Sequence, residues 1–106
     1  MSAPQSEVTA VKFSQHIIVN ATDEDALLNL VRDDSPGLPP GLTALRLLRF
    51  RDKPGRYAIQ ADFDSRDNAQ ASNDRPEVQD WARRLADMID GEPKYEDFDV
   101  VYDRKA

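Results

Sequence analysis

Cysteine is absent from the 106-residue chain. That excludes a disulfide, a thiolate metal site and a cysteine nucleophile, and it suits a reducing compartment. Histidine occurs once, at position 16, so all histidine chemistry rests on one imidazole. No charged-then-apolar leader opens the chain and no long apolar run follows. A soluble, cytoplasmic protein with no membrane partner is expected. The tripeptide Asn20-Ala21-Thr22 is then a glycosylation pattern by composition only. Gly-rich phosphate loops, Ser–His–Asp sets and metal-ligand spacings are also missing.

What is present is mostly charge. Twenty acidic residues outweigh 14 basic ones, for a net charge of −6. That balance argues against nucleic-acid partners and anionic membranes. The charge is uneven along the chain. Arg46, Arg49, Arg51, Lys53 and Arg56 crowd one stretch, and Asp97, Asp99 and Asp103 another.

The length fits one domain, expected over residues 11–106 behind a flexible tail at 1–10. Val11 to Asn20 alternates as a strand, with Phe13, Ile17 and Val19 on one face. On the other face are Ser14, His16, Ile18 and Asn20. Thr22 and Asp25 suggest a capping box for a helix carrying Leu27, Leu30 and Val31. Ser35-Pro36-Gly37 and Pro39-Pro40-Gly41 end it. Thr43–Arg51 and Arg56–Asp64 flank a Pro-Gly turn as an antiparallel hairpin. Tyr57, Ile59, Ala61 and Phe63 form its apolar side.

Ser65 caps a short turn through Ala71, and Pro76 starts a longer helix with Val78, Trp81, Ala82, Leu85 and Ile89 at helical spacing. Gly91 is the expected cap of that helix. Tyr95–Asp103 is a last strand with Phe98, Val100 and Tyr102 as its apolar side, which leaves Asp97 and Asp99 opposite.

The order βαββαβ predicts an α+β, ferredoxin-like domain: a four-stranded antiparallel sheet with two helices on one face. No helix remains for the second face. Its residues (His16, Ile18, Gln60, Asp62, Asp97) mix polar and apolar types. Such a mixture suits a face that meets another sheet across a partly polar cavity.

These residues resemble the dimeric α/β-barrel family that includes antibiotic-biosynthesis monooxygenases. The carriers are Pro40-Gly41-Leu42 leading into Leu45-Arg46-Leu47-Leu48-Arg49, then Asp62-Phe63-Asp64-Ser65, Arg75-Pro76-Glu77 with Trp81, and Tyr95-Glu96-Asp97-Phe98-Asp99-Val100. The resemblance implies a homodimer whose sheets face each other, with a ligand pocket between sheet and helices. It implies a small-molecule ligand, aromatic ones first, and no cofactor.

Cofactor-free monooxygenases of this family hold a phenolic substrate with Asn, Trp and Arg. Here Asn20, Trp81 and Arg46 or Arg49 match those types. Phe63 stands where the family often has Trp. His16 joins Asn20 and Trp81 as a candidate catalytic residue, and Arg46, Gln60 and Asp62 are candidate ligand-binding residues. The plainer alternatives are that His16 is a hydrogen-bonded strand residue and that Trp81, at helical spacing, is core. Haem-degrading relatives carry a histidine in the second helical region, and Ser65 to Asp90 has none. Asp62, Asp97 and Asp99 could hold a metal only by converging, while alternating Asp on a strand more often marks a solvent face, so no metal is expected. The same βαββαβ order occurs in RNA-recognition modules, but Tyr57 and Phe63 fall on the core side rather than the exposed one.

Overall fold

Asp23, rather than Thr22, caps the first helix. Its backbone is extended and its carboxylate accepts from the Ala26 N–H at 3.0 Å. Aspartate serves this position well, and Glu24 and Asp25 add negative charge to the first turn, where the helix dipole favours it. The computed structural model describes residues 11–33 and 37–105. Its elements are β1 (Phe13–Asn20), α1 (Glu24–Val31), β2 (Leu42–Arg49), β3 (Arg56–Phe63), α2 (Arg66–Asn73), α3 (Pro76–Asp87) and β4 (Asp90–Asp99). The expected tail at 1–10 and the expected break at Ser35-Pro36 lie outside the described residues. Among those described, no helix is long and apolar enough to cross a membrane.

The sheet order is β2-β3-β1-β4, with all neighbours antiparallel. This is the ferredoxin-like arrangement expected, with one helix more. The stretch after Ser65, read as a short turn, is a full helix. Ser65 accepts from the Asn68 N–H at 3.1 Å, and the helix buries Ala69 and Ser72. Ala69 packs with Phe13 and Phe63 as a small second core. The main core joins Leu27 and Leu30 of α1, Leu85 of α3, and Ile17, Val19, Tyr57 and Ile59 of the sheet. Trp81, Met88 and Ile89 close its side.

The third helix stops at Asp87 with Met88 as its cap, so Gly91 is not the cap. Gly91 instead lies inside β4 at φ +74°. The β1–β4 register slips there: Ile18 pairs with Lys94, but Asn20 pairs with Asp90. Two extra residues of β4 are absorbed in a bulge that contains Pro93. The bulge interrupts the β1–β4 ladder at Val19, and an edge strand tolerates it because no second neighbour depends on its pairing.

Register also decides which way β4 faces. Phe13 opposes Asp99, Gln15 opposes Asp97 and Ile17 opposes Tyr95. Paired residues share a face, so Asp97 and Asp99 lie on the helix side, and the Gln15 amide donates to Asp97 at 3.1 Å. Phe98 lies on the uncovered side, opposite Ser14. This reverses the assignment made from alternation alone. Alternation in β4 separates two faces but does not say which one meets the core, and an edge strand beyond the helices has little core to meet.

Candidate functional site

The side of the sheet away from the helices is an ordered grid. One row runs Ala44, Asp62, Ser14, Phe98 across β2, β3, β1 and β4. The next runs Arg46, Gln60, His16, Glu96, and the third Leu48, Ala58, Ile18, Lys94. Beyond these, Asn20 stands opposite Arg56 and Asp90.

Asp62 is the hub of the grid. Its Oδ1 accepts from Ser14 Oγ at 2.7 Å and from Gln60 Nε2 at 3.2 Å. Its Oδ2 lies 3.8 Å from Arg46 Nη1, an ion pair too long for a hydrogen bond. The Thr43 hydroxyl donates to the Asp62 carbonyl. Ser14 is 7% exposed, so its hydroxyl is committed to this carboxylate. Arg46 is over half exposed and keeps donors free for another group. These residues border a concavity of ≈ 410 Å³, whose far wall includes Lys12, Val100 and Lys105.

The three candidate ligand-binding residues, Arg46, Gln60 and Asp62, are therefore brought together. The three candidate catalytic residues are not. His16 lies on the same open face, its ring 4.8 Å from that of Phe98 and tilted by 57°. Asn20 is on that face too, but four residues further along β1, about 13 Å away at strand spacing. Trp81 is on the other side of the sheet. It packs against the main core and its indole N–H donates to the Leu30 carbonyl at 3.2 Å. Among the described residues no three metal-ligating side chains gather. Asp62 and Asp97 are on opposite faces of the sheet.

A second polar cluster lies on the helix side, and of its members only Arg49, the alternative cation to Arg46, was a candidate from sequence. Arg49 donates to both oxygens of Glu24, at 2.6 and 2.7 Å, and the Tyr57 hydroxyl donates to the same carboxylate at 3.1 Å. The Arg49 hydrogen bonds hold the Glu24 carboxyl below its ordinary range, against the opposing effect of desolvation. Desolvation, and then the hydrogen bond to Glu24, push the Tyr57 hydroxyl up. With Leu28 and Leu47 these groups line a cavity of ≈ 150 Å³ between α1 and the sheet. Pockets for small ligands hold roughly 300–1,000 Å³. By size the open face is the better site, and the helix-side cation is already paired bidentately with Glu24. Neither Ser14 nor Glu24 was legible as a partner, because Asp62 and Arg49 are remote in sequence and meet them only through strand order.

Comparison with solved structures gives the fold a known setting. A cofactor-independent oxygenase from Streptomyces nogalater superposes with TM-score 0.71 at 17% identity, over 89% of this chain and 97% of that one. A protein of Chloroflexus aurantiacus named for the antibiotic biosynthesis monooxygenases gives 0.70 at 20% identity, over 89% and 97%. One of Nitrosomonas europaea, named likewise, gives 0.69 at 15% identity, over 89% and 94%. The chain has the antibiotic-biosynthesis-monooxygenase fold. At these identities the likeness is one of fold, which hosts more than one function. No protein-family model and no curated protein matches the sequence.

Proposed function

We infer that the chain is a small homodimeric α/β-barrel protein that binds a small molecule, aromatic ones first, over the Asp62 hub. The observation that carries this reading is the hub itself. A tethered carboxylate, an under-used guanidinium and an amide converge on a ≈ 410 Å³ concavity. The same face leaves Leu48 and Phe98 about 40% exposed. A second sheet would remove that apolar surface from water. The cysteine-free chain suits the cytoplasm, which is the location proposed.

The test has two arms. Light scattering at micromolar concentration is expected to give twice the chain mass, and a monomer would remove the barrel. A thermal-shift screen of aromatic and aliphatic small molecules is then expected to yield stabilisers whose effect is lost in Arg46→Ala. Stabilisers that act equally on the variant would move the site elsewhere.

An enzymatic reading, a cofactor-independent monooxygenase acting on an aromatic polyketide-like substrate, draws its support from the oxygenase of the same fold. Trp81 does not strengthen it, since the indole is committed to Leu30 on the far side of the sheet. Oxygen uptake with a hydroquinone distinguishes the readings. Uptake lost in Asp62→Asn would favour catalysis at the hub, and no uptake above a protein-free control would leave binding alone.

A further inference from the structure

The concavity over Asp62 is cationic on an acidic chain. Lys12, Arg46 and Lys105 border it, against two carboxylates, Asp62 and Asp103. The whole chain carries −6. A local excess of positive charge draws anions, and a concave surface focuses the field.

The three cations differ in what already holds them. Lys12 is taken by Asp103, with Nζ 3.2 Å from Oδ2. Lys105 forms no ion pair among the described residues. Arg46 has only its 3.8 Å approach to Asp62 Oδ2. Asp62 in turn spreads its charge over the donors of Ser14 and Gln60. A guanidinium carries five N–H donors in a planar fork, so an arginine beside one carboxylate can take a second bidentately. Two cations on one concavity thus await an anion.

Shape adds a second requirement. In the row Ala44, Asp62, Ser14, Phe98 both neighbours of Asp62 are small, and both border the concavity. A flat group can therefore lie close to the sheet there. The Phe98 ring, 42% exposed, stands one strand beyond Ser14, where it can meet the edge of such a group.

We propose that the ligand of this concavity is an aromatic carboxylic acid. Its carboxylate is taken by Arg46, Lys105 adds a second positive charge, and its ring lies over Ser14. The proposal rests on the small-molecule reading above and adds the acid group, which that reading leaves open.

Acid and amide pairs test it, because the two differ in charge and hardly in shape. Benzoate, 4-hydroxybenzoate and 2-naphthoate, each beside its own amide, are titrated into the full chain by calorimetry at neutral pH and low salt. Each acid is expected to bind about tenfold more tightly than its amide, and added salt to weaken the acids and spare the amides. Arg46→Gln is expected to abolish the preference and Lys105→Gln to reduce it about threefold. Both side chains are exposed, and circular dichroism checks that the variants fold. Arg83→Gln removes an exposed cation of α3, on the other side of the sheet. It is expected to leave the preference unchanged, which separates the site from net charge.

Acids and amides that bind equally, and both more weakly to Arg46→Gln, would overturn the acid class and leave the small-molecule site standing. A preference that survives Arg46→Gln would overturn the placement at Arg46. No binding of any acid to the native chain would overturn the proposal, while the wider thermal-shift screen decides the small-molecule reading independently.

Discussion

Arg49 grips Glu24 through two hydrogen bonds, 2.6 Å from Nε and 2.7 Å from Nη2, and so ties β2 to the first turn of α1. Tyr57 of β3 donates to the same carboxylate. One carboxylate thus joins the helix layer to two strands, at the mouth of the smaller cavity.

This latch should make the fold sensitive to acid. Glu24 has its folded value lowered, first by the Arg49 hydrogen bonds. A carboxyl of that kind contributes its stability above the unfolded value and loses it as pH falls through the folded one. Urea unfolding is expected to show stability falling below pH 4.5, the ordinary value, and Glu24→Gln to flatten the fall. An unchanged acid profile in the variant would show that the latch contributes nothing. Tyr57 gives the opposite sign. Its value is raised, so its contribution is present below pH 10.0, its ordinary value, and is lost as pH rises through the folded one.

Gly41 cannot be replaced without strain. Its φ is +87°, and an added Cβ would lie 2.7 Å from Asn68 Cβ and 2.8 Å from Asp64 Oδ1. Gly41→Ala is expected to cost roughly 1–3 kcal/mol from the backbone alone, with the clash in addition. Gly37, at φ +90° with nothing within 4 Å of an added Cβ, is the control. Denaturant midpoints should rank Gly41→Ala below Gly37→Ala, and equal midpoints would remove the packing argument.

Ser14→Ala should loosen the hub. The 2.7 Å hydrogen bond to Asp62 is lost, at about 1 kcal/mol for a partly exposed acceptor. A cycle with Asp62→Asn, read by chemical unfolding, is expected to show coupling between the two positions. Additive effects would mean that the contact is not formed in solution.

Trp81→Phe should alter stability and leave ligand binding intact. The ring stays in the core, while the hydrogen bond from the indole N–H to the Leu30 carbonyl disappears, at about 1 kcal/mol. Trp81 is the only tryptophan, so the comparison needs circular dichroism rather than fluorescence. A thermal shift by a hub ligand that survives in this variant separates the core role from a site role. Its complete loss would return Trp81 to the site.

Much of the fold could be read along the chain. The alternation of Tyr57, Ile59, Ala61 and Phe63 marked the core side of β3, and the structure buries Tyr57, Ile59 and Phe63 nearly completely. Pro76 opened α3 as expected. The cap at Asp23, the helix after Ser65 and the bulge at Gly91 were missed, because each depends on competition between neighbouring residues that are nearly equal in local preference. At the site, Arg46, Gln60 and Asp62 came together because they alternate on adjacent strands of one hairpin. Ser14 joined them only through the β1–β3 pairing.

Period and punctuation along the chain were enough to determine the four strands, two of the three helices and their order, and hence the ferredoxin-like sheet, since a strand's alternation and a helix's apolar stripe are local properties. Tertiary structure alone decided which way β4 turns. A strand repeats every two residues, so its sequence is compatible with either face, and only the pairing of Ser14 with Phe98 and Gln15 with Asp97 resolves the choice. That pairing puts the Phe98 ring and Glu96 on the open face, and Asp97 and Asp99 on the helix side.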